Sequence, residues 1–312
     1  MIELLKLHPQ KIKHEMSITW SEMKRKRISY FLLLPYMSIF FVFVILPVII
    51  SIFFSFTYFN IFETPKFTGW NNFINLFLND DIFQIAIKNT LLLAIITGPL
   101  GYIFSLLFAW LINELRPFIR AIFVVILSAP SISGTAYMIW LVMFSSDSYG
   151  YANSFLMKFG FIREPIMWLQ DSMYMLGVVI VVVLWMSLGT SFLAFVAGFQ
   201  GVDKSLYEAG SIDGIKNRWQ ELWFITLPSM KPQLMFGAVI TITSSFAIND
   251  VTIALCGLPS ADYAAHTVIN HLIDYGFIRF DMGYACAIAT VLFVIMIFSN
   301  LVVQKLLKKV GK

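Results

Sequence analysis

The sequence predicts an all-α membrane protein with six transmembrane helices, and three observations carry that expectation. Apolar residues make up 59% of the 312 and charged residues 13%, against about 25% charged in a soluble domain. One globular core cannot hide that much apolar surface. Six apolar runs, near 29–57, 88–113, 119–145, 173–200, 232–256 and 281–307, are each long enough to cross a ~30 Å hydrocarbon core, which takes about 20 residues. The basic residues gather on alternate connections, as the positive-inside rule requires.

Taken in order, residues 1–28 form a basic segment with Lys6, Lys11, Lys13, Lys24, Arg25, Lys26 and Arg27. The apolar run after it is too long for a signal-peptide core and no small-residue cleavage site follows, so the first helix is expected to be retained. That run holds Pro35 and Pro47, which predict a kink that membrane helices tolerate. Arg116 and Arg120 lie between the second and third runs, and Pro130 with Gly134 predicts a bend in the third. Lys204, Lys216, Arg218 and Lys231 lie in the 201–231 connection, and Lys305, Lys308, Lys309 and Lys312 at the end. Seventeen of the 22 Lys and Arg thus fall on one side. The expected placement is multi-pass in a cytoplasmic membrane, both termini inside, with the membrane-spanning domain at 29–307 and a short tail at 308–312. The opposite connections, about 58–87, 146–172 and 257–280, are too short for an independent domain.

Several functions find no support. Cys256 and Cys286 form no CxxC or Cys/His cluster, so no metal site is indicated, and they read as small packing residues. A net charge of +4 is too small to argue for nucleic acid. No GxxxxGK[ST] loop is present, so this chain has no phosphate-binding loop for ATP.

The 201–231 connection breaks the apolar pattern. Ser205 to Gly214 has the elements of a short helix, with Asp203 or Ser205 as N-cap and Gly214 able to take the left-handed conformation that ends one. A second helical run, NRWQELWFI, follows, and Pro228 is expected to stop or bend it. Trp219, Trp223 and Phe224 recur at helical spacing and suit a bilayer or neighbouring helices. On periodicity alone this is an interfacial amphipathic element.

The residues are more specific than the periodicity. Glu208, Ala209, Asp213, Gly214, Ile225, Leu227 and Pro228 closely resemble the EAA loop of ABC importer permeases. Gly210 stands where a second Ala is usual, Ile215 where a third is, and the stretch from Asp213 to Ile225 is one residue longer than the common pattern. Segments from Ser29 onward, such as FTGWNNFINLF and DMGYACAIATVLFVIMI, resemble the first permease of maltose-type carbohydrate importers. The resemblance implies a type I importer permease whose loop at about 203–230 is a cytoplasmic coupling helix docking on an ATPase subunit. Glu208 would make the polar contact, Ala209 and Gly210 would permit close approach, Gly214 would turn the chain, and Asp213, Leu227 and Pro228 complete the motif. It also implies a heterodimer with a second homologous permease, two ATP-binding cassette subunits carrying ATP and Mg, and an extracytoplasmic sugar-binding protein. This chain itself would hold no cofactor and catalyse nothing.

Polar residues within the runs suggest a substrate path. Ser133, Tyr137 and Trp140 fall on one face of a continuous helix; Ser187 and Thr190 are three apart; Thr241, Ser245 and Asn249 form an i, i+4, i+8 stripe. Hydroxyl, amide and aromatic groups suit a sugar, and the resemblance places sugar-contacting positions near these stripes. The plainer account is helix–helix packing by small polar residues. Asp250 reads as an outer gate or loop anchor. His266 and His271 are expected to face solvent, and with Arg279 nearby they leave neutral and acidic sugars both open. The reading is an importer subunit for a di- or oligosaccharide. The first rival is an ABC permease for another solute such as a peptide or amino acid, which a binding assay would separate. The second is an ion-coupled secondary transporter, which predicts transport without an ATPase and intramembrane charges that are scarce here.

Overall fold

The computed structural model describes residues 25–307. The leader through Lys24 and the tail from Lys308, with the basic residues counted there, lie outside the described residues. The chain forms two units that divide between Phe53 and Phe54.

Helix α1, Arg27–Phe54, a candidate span of 28 residues, makes up almost all of the first unit's described residues and ends at the division. Pro35 lies inside it, and a wider π turn at Phe41–Ile45 precedes Pro47. Proline lacks an N–H and crowds the preceding turn, and a local widening absorbs both effects.

The second unit opens with a two-residue hairpin, β1 (Thr57–Tyr58) against β2 (Lys66–Phe67), and a short helix α2, Asn71–Leu78. Helix α3 runs from Asp81 to Asn113. It begins seven residues before the expected 88, because Asp80 caps it by accepting the Phe83 N–H at 2.9 Å and the polar first turns, with Asp81, Gln84 and Lys88, are helical all the same. Pro117 at the first turn starts α4, Pro117–Ile132. A bend of 82° separates α4 from α5, Ala136–Met143. Gly134 sits in the bend at φ +68°, a conformation that suits glycine. Helix α6, Tyr151–Lys158, lies in the next connection.

Helices α7 (Ser172–Met186) and α8 (Thr190–Gln200) form one span broken at Ser187–Gly189. Helix α9 is Lys204–Ile212, and α10 covers 218–229 with a π turn at Leu222–Thr226. Pro228 does not stop the chain there: after one non-helical residue, Met230, it re-enters a helix at once as α11, Lys231–Phe246. A second broken span is formed by α11 and α12, Asp250–Cys256. Helix α13, Val268–Ile273, extends into a π turn at Asp274–Ile278, and α14 is Met282–Leu307. Among the described residues five spans are long and apolar enough to cross a membrane, or six if the bent pair α4–α5 is counted as one span.

Two core clusters bracket the middle of this unit. At the α9 end, Ala109 and Ile112 of α3 pack with Phe192, Phe195, Leu222, Leu227 and Met230. At the other end, Leu93, Tyr137, Met175, Val179, Ile248 and Leu255 pack together.

Candidate functional site

The three broken spans bring their breaks to one place. A cavity of about 370 Å³ lies there, between α3, the α4–α5 bend, the α7–α8 break and the α11–α12 break. Irregular backbone at membrane depth is tolerated where it lines a cavity and its polar groups find partners. The partners here are hydroxyls. Ser105 Oγ donates to Ser187 O at 3.2 Å, Ser131 Oγ to Leu188 O at 3.3 Å, and Thr267 Oγ1 to Ile248 O at 3.1 Å. Glycines let the helices approach: a Cβ on Gly101 would sit 3.0 Å from Ser187 Cβ, and one on Gly98 3.2 Å from Ser245 Oγ.

Six of the expected path residues line this cavity: Tyr137, Ser187, Thr190, Thr241, Ser245 and Asn249. They do so for a different reason than helical stripes. Ser187 and Thr190 flank a break, and Asn249 lies beyond the end of α11, so no single helix presents them. Ser133 and Trp140 do not line it. The 82° bend takes Ser133 off the face of Tyr137 and leaves it exposed; Trp140 shares α5 with Tyr137 but stacks on Phe144 at 5.5 Å and meets Trp185 edge-on. Sequence reasoning missed Thr97, Ser131, Ser191 and Ser244. The run TGPLG at 97–101, with two glycines and a proline among large apolar residues, was the available signal.

The other end of the unit is closed by a buried polar network. His266 and His271 are each 1% exposed, which corrects the expectation that they face solvent. The 257–280 segment folds inward: Asn89 of α3 donates from Nδ2 to the carbonyls of Tyr263 and His266, both at 3.0 Å. Asp80 accepts from Tyr284 Oη at 2.8 Å and lies 2.9 Å from His271 Nε2. A carboxylate only accepts, so His271 Nε2 donates. His271 Nδ1 lies 3.3 Å from His266 Nε2. Burial pushes the Asp80 carboxyl up, but the hydrogen bonds from His271, the Phe83 N–H and Tyr284, with the His271 charge, outweigh it and hold the group at about 2. Burial first, then the neighbouring His271, lowers His266 to about 4.

The segment predicted as a coupling loop forms two packed limbs. Asp203 caps α9 by accepting the Ser205 N–H at 3.0 Å, and Gly214 turns the chain at φ +94°. Tyr207 Oη and Thr226 Oγ1 are 2.9 Å apart across the limbs. Glu208, Ala209, Asp213 and Ile212 are exposed. Two motif residues point elsewhere than expected. Gly210 is buried, and a Cβ there would meet Ile225 Cδ1 at 2.6 Å, so its smallness serves the contact between the limbs. Leu227 is 7% exposed and belongs to the inner core. The loop is braced to α3 by an ion pair between Arg218 and Glu114 and by Trp219 against Trp110, 4.8 Å between ring centroids. Among the described residues, no group of three or more His, Cys, Asp or Glu is placed to hold a metal.

Residues 101–312, which include this loop and most of the cavity, match the family of binding-protein-dependent transport system inner membrane components. The chain belongs to that family. Over 277 residues this permease is 31% identical to the probable ABC transporter permease protein YesP of Bacillus subtilis (strain 168), with 87% of each chain covered. It is 31% identical over 290 residues to the arabinooligosaccharides transport system permease protein AraP of the same organism, covering 90% of this chain and 89% of that one. It is similar to a chain of a bacterial alginate ABC transporter crystallised in complex with an alginate pentasaccharide-bound periplasmic protein: 26% identity, TM-score 0.73, with 93% of this chain and 98% of that chain covered. The type I importer permease fold expected from the loop residues is thus the fold found. The permease is a membrane component of a transport system and not an enzyme.

Proposed function

We propose that this permease is one transmembrane subunit of an ATP-driven importer that carries a di- or oligosaccharide inward. The observation that carries the reading is the cavity at the three helix breaks, where nine hydroxyl-bearing side chains, Asn249 and Asp250 line one space. Such a lining matches a solute that is itself a dense array of hydroxyls. Tyr137, Thr190 and Ser244 supply hydroxyls that make no hydrogen bond within the described chain, and the Tyr137 ring can pack on the apolar face of a sugar. The relatives named for arabinooligosaccharides and alginate support the substrate class.

The mechanism is alternating access. An extracytoplasmic binding protein delivers the sugar, and a second permease subunit completes the path. Two ATP-binding cassette subunits bind ATP and Mg and close on them. The α9–α10 loop transmits that closure: Glu208, Ala209 and Asp213 present an exposed docking face, while Gly214 and Pro228 shape the limbs. The basic connections support a cytoplasmic side for this loop and both termini. The brace from Arg218 and Trp219 to α3 supports the route from loop to cavity, because α3 also carries Thr97 to the cavity wall. Coupling requires that sugar-loaded binding protein and ATP favour compatible states of these elements.

The test is ATP hydrolysis by the reconstituted complex with its binding protein and a sugar panel. Wild type is expected to be stimulated by one sugar class, and Glu208→Ala to assemble normally but lose most of that stimulation. A Glu208→Ala complex stimulated like wild type would reduce the loop to an interfacial helix.

A further inference from the structure

The cavity has a directional chemistry that its residue types alone do not reveal. Carbonyl oxygens only accept hydrogen bonds, so a hydroxyl bonded to one has spent its single proton. Thr97 donates to Leu93 O at 2.8 Å, Ser131 to Ser128 O at 2.8 Å, and Ser187 to Leu184 O at 2.7 Å. Thr241 donates to Gly237 O at 2.8 Å and Ser245 to Ile242 O at 2.8 Å. These five oxygens can offer a ligand only lone pairs. Asn249 Nδ2 donates to Asp250 Oδ1 at 3.0 Å, which commits one of its two amide protons to the carboxylate and leaves Asp250 Oδ2 as an acceptor. Asp250 is the sole charged residue among the described residues lining the cavity, and no Lys, Arg or His lines it.

The cations that had left an acidic sugar open are engaged elsewhere. His266 and His271 are buried in the Asp80 network. Arg279 pairs with Asp274 at 2.6 Å and lies over the Tyr275 ring at 4.3 Å.

We propose that this cavity takes uncharged oligosaccharides, whose hydroxyls donate to its acceptor-rich wall, and discriminates against uronate-bearing ones, with Asp250 as the discriminating residue. The inference rests on the oligosaccharide reading above. Sugar hydroxyls are donors as well as acceptors and satisfy this wall. A uronate carboxylate is an acceptor only, so against most of this wall it meets lone pairs and the Asp250 charge, and the Tyr137, Thr190 and Ser244 hydroxyls are too few donors to replace its lost water.

The experiment measures binding by the purified complex of permeases and ATPase subunits without the binding protein, so that the selectivity read is the membrane subunits' own. The probes are neutral pentasaccharides of glucose, galactose, xylose and arabinose, and a pentasaccharide of uronic acids, titrated by calorimetry at low and high salt. At least one neutral sugar is expected to bind wild type about tenfold or more tightly than the uronate, a factor worth about 1.4 kcal/mol. Asp250→Asn should narrow that ratio by about tenfold, mostly by improving uronate binding, and Asp250→Lys should narrow it further. Higher salt should narrow the wild-type ratio too, because screening weakens the repulsion. Uronate binding to wild type as tightly as the best neutral sugar overturns the inference and leaves the oligosaccharide reading intact. So does a ratio that neither Asp250 variant moves. If no probe of either charge binds, the cavity has no selectivity of its own and the inference is overturned; the oligosaccharide reading falls with it only if no sugar stimulates ATP hydrolysis with the binding protein present.

Discussion

The two ends of the helical bundle close in opposite ways. At the end built from α2, α13 and the start of α14, titratable side chains go inside: Asp80, His266 and His271 are linked to one another and to Tyr284. At the α9–α10 end the charges stay outside, with Glu208, Asp213 and Arg218 exposed, while Leu222, Ile225 and Leu227 are buried beneath them. The first arrangement is interlinked, because its buried polar groups depend on one another, with His266 Nδ1 the one network atom left without a partner among the described residues. The second resembles a domain surface, with an apolar interior holding a polar face outward. A face of the kind proposed to dock on another protein tolerates charges whose solvation is easily exchanged, whereas a closed plug does not.

Substitutions should separate these two designs. The largest effect is expected at the buried network. Asp80→Ala strands His271 and Tyr284 and should cost about 3 kcal/mol of stability, read as a lower unfolding midpoint of the purified permease in detergent. A midpoint within error of wild type would mean the network is not structural. Next, Gly210→Val should overpack the limbs against Ile225 and cost about 2 kcal/mol, whereas Glu208→Ala should leave the midpoint unchanged while losing coupling. Equal thermal losses from both would erase the distinction between packed and docking residues in the loop.

Acid should weaken one end more than the other. His266 titrates near 4 in the folded chain against 6.5 when free. The unfolded chain therefore binds more protons between those values, and stability is present in full above about pH 6.5 and declines as pH falls towards 4. Asp80 adds a loss only at lower pH, as its folded-state value near 2 is approached from 3.8. Unfolding midpoints at pH 7.5, 6 and 5 should fall for wild type and fall less for His266→Asn; parallel declines would assign the acid sensitivity elsewhere. The smallest effect is expected at the exposed Arg218–Glu114 pair, whose side chains are 61% and 41% exposed. Arg218→Ala should change stability by less than about 1 kcal/mol, detectable in the same melts as a near-null result.

The spans were legible because length and hydropathy are local properties, and the loop motif was legible because its polar residues interrupt apolar sequence. The breaks within spans were not. Ser133, Tyr137 and Trp140 follow helical spacing perfectly well, yet the bend at Gly134 parts Ser133 from the other two. A glycine permits a bend without requiring one. His266 and His271 looked like loop residues because their partners, Asp80 and Asn89, lie about 180 residues away in the chain, and burial of a polar group depends on such partners. Gly210 and Leu227 matched a docking motif by type, but which side of a helix meets Ile225 or the core depends on how the limbs pack.

Composition and the spacing of apolar runs by themselves determined that this chain spans a membrane with one polar connection, and the residues of that connection carried the resemblance to importer permeases. Free energies of transfer act on each segment separately, so they can be read segment by segment. Tertiary structure decided where the spans break, which hydroxyls spend their protons on the backbone, and that the cavity wall offers acceptors and a single carboxylate. Those properties arise only when distant segments meet, because a hydrogen bond has a direction and a partner, and neither is written at the residue that makes it.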